Sequence, residues 1–220
     1  TMMDAKMKGM VMAGMMGLSL ILAAMAIFSN EWLEEVEPDD EEGVTDYIGL
    51  SSMKMVDTSY EDEDECKAVV EFVEPMYEDT DAEFVCDGKE LTMTVSISDV
   101  CELLDDMDAE SDDIDDCEST ASAGTMGSIG MWGGLVLALL ATLMMVLPMA
   151  GVDAMDQIPE IGQKVISWGA GGLMLLGLLM WYFMLPDGDS SMSTGLLMAG
   201  AAMSTALGST LIGQFIPENE

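Results

Sequence analysis

The chain contains no histidine and no arginine, and its only basic residues are six lysines set against 42 acids. Those two absences remove the usual general base, the commonest metal ligand and the bidentate phosphate clamp together. Hydrolase, kinase and haem-protein chemistry is therefore excluded, and the sequence offers no catalytic residue and no cofactor-binding residue; it reads as a non-enzyme. Charge is also missing from four long stretches: residues 9–28, 128–148, 165–186 and 190–216 hold no Asp, Glu or Lys. An ionisable side chain at membrane depth is the ordinary mark of a proton relay, an ion pathway or a voltage sensor. A pump, secondary transporter or channel made by this chain alone is not expected.

What is present is segregated. Each uncharged run reaches the roughly 20 residues needed to cross a ~30 Å hydrocarbon layer, which predicts four transmembrane helices. Half of the residues are hydrophobic while the net charge is −36, an imbalance a single soluble core would not hold comfortably. Roughly 34 of the 42 acids lie in residues 29–127 beside Lys54, Lys67 and Lys89. The expected architecture is a four-helix transmembrane bundle carrying a small antiparallel β-sheet domain, α+β overall. Residues 1–28 form the first span, 29–127 the acidic domain and its tether, and 128–220 spans two to four. Nucleic acid and anionic head groups are excluded as partners of the acidic face by like charge.

Lys6 and Lys8 precede the first span and Lys164 the third, whereas Asp187, Gly188 and Asp189 after the third include no base. The positive-inside rule then places the N terminus, the 151–164 connection and residues 217–220 in the cytoplasm of a multi-pass cell-membrane protein, with the acidic loop extracellular. Trp32, Trp132 and Trp181 with Tyr182 are expected at the outer interface and Trp168 at the inner one. A competing reading takes the first span as a signal peptide cleaved near Ala24-Met25-Ala26. Small residues recur at helical spacing in Gly9, Ala13 and Gly17, in Gly130, Gly134 and Ala138, in Gly169 with Gly177, and in Gly200, Ser204 and Gly208. Such stripes let helices approach closely in lipid.

All four cysteines, Cys66, Cys86, Cys101 and Cys117, fall in the acidic loop. An even number in an oxidising compartment reads as two disulfides, and of three connectivities the nearest-neighbour pairing Cys66–Cys86 and Cys101–Cys117 is preferred. Strands are expected over 47–56, 67–73, 82–86 and 91–97, with a turn at Asp87-Gly88. A short helix capped by Ser98 should run to about Met107, and 105–127 should be a loose tether. Asp106, Asp108, Glu110 and Asp112 alternate as calcium ligands might be spaced, but without the glycine and closing glutamate of a twelve-residue loop. No metal site is assigned, and diffuse attraction of calcium, magnesium and sodium is expected instead. The 25 methionines, with Met7, Met10, Met12, Met15 and Met16 crowded in the first span, raise Cu(I) coordination against ordinary packing by a flexible side chain.

The order of parts resembles the claudin, peripheral-myelin-protein and calcium-channel gamma-subunit type of tetraspan protein. Trp32 follows the first span, Gly49-Leu50 stands where that group has G-L-W, with Ser51 in place of the tryptophan, and Cys66 and Cys86 correspond to its paired cysteines. The resemblance implies a β-sheet domain on a four-helix bundle and a role in contact, adhesion, barrier or complex assembly. The function so expected is non-enzymatic: interaction or assembly within the lipid bilayer with other membrane subunits or a second copy, and outside it with a basic partner. The alternative is an accessory subunit for transport or metal-cation handling.

Overall fold

A computed structural model describes residues 3–35, 43–78, 80–149, 151, 159–186, 190–216 and 218–219. The elements in chain order are β1 Met3–Asp4, α1 Ala5–Ile27, β2 Leu33–Glu35, β3 Val44–Ile48, β4 Ser52–Asp57, α2 Glu63–Val73, β5 Glu83–Asp87, β6 Glu90–Ser96, α3 Ile97–Asp106, α4 Ser111–Met149, α5 Glu160–Met184, β7 Ser190–Met192, α6 Thr194–Phe215 and β8 Glu218–Asn219. They divide into two compact units. One comprises residues 1–28, 126–180 and 197–220, and the other residues 29–125 and 181–196.

The helical unit contains α1, α4 from Met126, α5 to Met180 and α6 from Leu197. Four helices, within Lys6–Ile27, Ser111–Met149, Ile161–Met184 and Thr194–Phe215, are long and apolar enough to cross a membrane. The 23 residues of α1, at 1.5 Å rise each, match a ~30 Å hydrocarbon layer. Helices α4 and α5 approach closely: a Cβ added to Gly130 would lie 2.3 Å from the Gly177 Cα, and one on Gly134 would meet Met174 and the Ala170 carbonyl. Ala138 is fully buried on the same face. Hydroxyls join other pairs. Ser19 donates to the Ala202 carbonyl at 2.7 Å, Ser209 to that of Met12 at 2.9 Å and Thr210 to that of Ser167 at 3.1 Å.

Two of the expected stripes are not the seams. Nothing lies within 4 Å of a Cβ built on Gly17 or Gly200, and Gly9 and Gly208 meet only the flexible ends of Met149 and Met15. Ala13 is only half-buried, and Ser204 is exposed, its hydroxyl turned back to the Gly200 carbonyl. The buried face of α1 is instead Met16, Ser19, Ala23 and Ala26, and that of α6 is Ala199, Ala202, Ala206, Ser209 and Thr210. Alanine and hydroxyl side chains suffice where the backbones stay further apart than at Gly130.

The other unit is built on a sheet ordered β5-β6-β4-β3-β2-β7, antiparallel throughout. Along β6, Leu91, Met93 and Val95 are buried while Thr92 and Thr94 are not, the period-two pattern of a half-buried strand. The expected 47–56 strand is a hairpin, β3 and β4, because the chain reverses at Gly49-Leu50-Ser51, where the Gly49 N–H donates to the Ser52 carbonyl at 2.8 Å. The β5–β6 turn uses Gly88 at φ +64, a conformation glycine adopts without steric cost.

Three further expectations are corrected. Residues 67–73 are helical, not extended: Asp62 Oδ1 accepts from the Asp64 and Glu65 N–H groups at 3.1 and 3.0 Å, Glu63, Asp64 and Glu65 occupy the first turn, and both features favour a helix start. Helix α3 begins at Ile97, its N–H donating to the Ser51 carbonyl at 3.1 Å, so Ser98 lies inside the first turn and is not the cap. Residues 111–127 are not a loose tether but the start of the 39-residue α4. Acids at Asp112 and Asp113 suit a helix N terminus, and the following Ala and Ser residues fit between neighbours, with Ala123 fully buried.

Candidate functional site

The acidic residues are displayed by the sheet unit, whose interior is held by covalent and aromatic contacts. Cys66 on α2 is joined to Cys86 on β5, and Cys101 on α3 to Cys117 on α4. This is the nearest-neighbour connectivity, and each bridge ties a helix to the element beside it. Trp32 and Trp181 are both fully buried and pack edge to face with centroids 5.0 Å apart. They do not form an exposed interfacial belt, whereas Trp132 is 46% exposed beside Phe28. The Trp181 Nε1–H has no hydrogen-bond partner among the described residues.

Of the residues that carried the family resemblance, Trp32 stands in this aromatic pair and Gly49 and Leu50 form the β3–β4 turn. Leu50 is buried, and its carbonyl oxygen would be 1.8 Å from a Cβ on Gly124. Gly124, Tyr77 and Phe84 were not singled out by sequence reasoning. Alternation along β5 places Phe84 and Cys86 on one face, but Tyr77 joins Phe84 only because the chain tightens into a 3₁₀ turn at Glu74–Tyr77 with Pro75 in it.

Acid is spread over the outer faces of the unit. Glu63, Asp64 and Glu65 open α2, and Asp112, Asp113, Asp115, Asp116 and Glu118 crowd the start of α4, all exposed. Two of the three lysines are engaged locally. The Lys54 ammonium contacts Glu31 at 2.6 Å and lies 5.5 Å from the Tyr47 ring centroid, and Lys67 pairs with Glu63 one helical turn away. That exposed second pair adds little stability. No group of three or more His, Cys, Asp or Glu is arranged to hold a metal among the described residues. Asp106 ends α3, Asp108 takes a left-handed turn at φ 52, and Asp112 is already in α4.

A groove of about 450 Å³ lies between the 3₁₀ turn and β5, lined by Glu74, Tyr77, Glu78, Thr80, Ala82 and Phe84. The Tyr77 and Phe84 rings meet edge to face at 5.7 Å, and Phe72 and Met76 are exposed nearby. Carboxylates beside aromatic faces can take an organic cation, the charge met by Glu74 or Glu78 and the body by the rings.

Tyr60 and Asp57 form the most perturbed pair of titrating groups. Burial and a hydrogen bond to Asp57 push the Tyr60 phenol up to about 12. Burial raises the Asp57 carboxyl, but hydrogen bonds from Ser59 and the Tyr60 hydroxyl outweigh it and leave it below its usual range. A depressed carboxyl contributes stability above its unfolded pKa of ~3.9, lost as pH falls through the lower folded value. A raised phenol contributes stability below pH ~10, lost as pH rises towards 12. Tyr60→Phe should therefore lower the denaturation free energy by about 1 kcal/mol at neutral pH. The difference from the parent should close at strongly acid pH and again near pH 12; a gap unchanged at both extremes would refute the coupling.

The sequence matches no family model and no curated protein.

Proposed function

We propose that this chain is a non-enzymatic tetraspan membrane protein whose acidic sheet unit meets cations and a basic partner outside the cell while its four helices anchor it and associate with other membrane subunits. The observation that carries this reading is the segregation itself. A folded, doubly disulfide-bonded unit displays most of a −36 charge, in a chain with four helices of membrane length. Disulfides belong to oxidising compartments, and acid of this density attracts cations whatever else it does. The groove beside Tyr77 and Phe84 offers a basic side chain more than charge alone. The layout resembles the claudin type of tetraspan, which supports a role in contact or assembly.

The test uses full-length protein in cells and in nanodiscs. A cysteine at Thr80 should react with an impermeant thiol reagent on intact cells, and one at Gln157, outside the described residues, should not. A lysine-rich peptide should bind the nanodisc protein, weaken as salt rises through the screening range, and lose several-fold affinity in Tyr77→Ala/Phe84→Ala. Calcium or magnesium should raise the melting temperature at lower concentration than sodium, with little preference between the two. Labelling at Gln157 from outside, or peptide binding indifferent to salt, would contradict the proposal.

A further inference from the structure

The walls of the groove between the 3₁₀ turn and β5 are pinned from both sides. Thr80 donates from its N–H and its hydroxyl to the Tyr77 carbonyl at 3.0 and 2.8 Å, and the same hydroxyl accepts from the Ala82 N–H at 3.3 Å. Cys86 stands two residues beyond Phe84 on the same face of β5 and is bonded to Cys66. The strand that carries Phe84 is thereby tied to α2, the helix that leads into the 3₁₀ turn. Tyr77 and Phe84 are half-buried, with part of each ring open to a visitor. Side chains held in place before a partner arrives lose less freedom when it binds.

The charge around the groove has one sign. All three lysines of residues 29–127 are placed: Lys54 contacts Glu31, Lys67 pairs with Glu63, and Lys89 lies in the turn beyond the opposite end of β5 from Ala82. Every other charged residue of the sheet unit is an acid. Glu74 and Glu78 are exposed, and neither carboxylate is paired with a base among the described residues, so an incoming cation displaces only water from them.

The shape of the site distinguishes among cations. A lysine ammonium is compact and strongly hydrated, and gains mainly from charge. A quaternary ammonium gains from aromatic faces but has no N–H to give Glu74 or Glu78, and two rings make a wall, not a cage. A guanidinium is planar and weakly hydrated, lies on aromatic faces and presents a fork of N–H donors that matches a carboxylate. Phe72, near the end of α2, and Met76, within the 3₁₀ turn, are 70% and 59% exposed beside these acids. Exposed apolar side chains rimmed by polar ones are the mark of a protein contact. We propose that the groove takes an arginine side chain of the basic partner and that Phe72 and Met76 take a large apolar side chain next to it, which rests on the reading of the acidic unit as the face that meets such a partner.

Full-length protein in nanodiscs of zwitterionic lipid would be titrated with four fluorescent peptides of equal length and net charge, carrying arginine with leucine, lysine with leucine, trimethyllysine with leucine, and arginine with serine. The arginine–leucine peptide should bind most tightly, about fivefold ahead of the lysine and trimethyllysine peptides and about threefold ahead of the arginine–serine one. Glu74→Gln/Glu78→Gln, at exposed positions, should bring arginine down to the level of lysine. Asp112→Asn/Asp113→Asn, which removes the same charge from the start of α4, should weaken all four peptides alike and keep the preference. Tyr77→Ala/Phe84→Ala should also erase the arginine preference, while Phe72→Ser/Met76→Ser, which alters only exposed side chains, should erase the leucine preference and spare that for arginine. Equal, salt-dependent binding of all four peptides, or a preference for trimethyllysine, would overturn the arginine site and leave the broader basic-partner reading standing. Failure of every peptide to bind would overturn both. Equal effects of the two acid pairs would mean that diffuse charge holds the peptide, and would overturn the site.

Discussion

Gly124→Ala is expected to destabilise the sheet unit by about 3 kcal/mol or more, beyond the usual range for one added methyl. The new Cβ would stand 1.8 Å from the Leu50 carbonyl oxygen and 2.9 Å from the carbonyl carbon. Both are backbone atoms, so no side-chain rotation relieves the clash, and α4 or the β3–β4 turn must move. In an unobstructed helix the same change stabilises by roughly 0.5–1 kcal/mol. Gly17→Ala and Gly200→Ala, where nothing lies within 4 Å, should show that ordinary gain. Thermal melting and limited proteolysis of the three variants decide the matter: a Gly124 variant that melts with the parent would mean that the helix does not rest on the turn as described.

Removing both disulfides should cost more still. The Cys66–Cys86 and Cys101–Cys117 bridges span 20 and 16 residues, and closing loops of that length stabilises by about 3 kcal/mol each through the entropy of the unfolded chain. If the two act independently the loss is roughly 6 kcal/mol, comparable with the whole stability of a typical domain, about 5–15 kcal/mol. The acid that the bridges hold together adds self-repulsion once they are gone. Paired Cys→Ala replacements should therefore lower the melting transition stepwise, and the variant lacking both bridges should fold only when salt screens the carboxylates. Melting of that variant at the parental temperature in low salt would show that the charge is too well solvated to strain the fold.

The four apolar helices were legible because the marks of a helix of membrane length, some 20 residues and freedom from charge, are visible letter by letter. The β5–β6 hairpin was legible for an equally local reason, glycine at a turn between alternating strands. Helix α2 was misread because Val69, Val70 and Val73 suggested a strand, while the cap at Asp62 and the spacing of Cys66, Val69, Val70 and Val73 carried the helical period. The start of α4 was hidden by its acids, which signal disorder when counted and helix initiation when their position is considered. Small-residue stripes marked the α4–α5 approach at Gly130 and Gly134 but misled in α1 and α6, since spacing alone does not say which face meets a neighbour. The Tyr77–Phe84 groove is local in sequence but was missed because it depends on the chain tightening into a 3₁₀ turn at Glu74–Tyr77, which no periodic pattern announces.

Strand β7 has a bearing on how the protein is made. Ser190–Met192 closes the sheet against Leu33–Glu35, so a ribosome adds more than 150 residues after β2 before its outer partner exists. At roughly 5–20 residues per second that wait lasts about 8–30 s, during which the β2 edge presents unpaired backbone groups that invite wrong pairing. Nascent chains that stop short of Ser190 keep that edge open, so an exposed β2 edge distinguishes an unfinished molecule from a finished one.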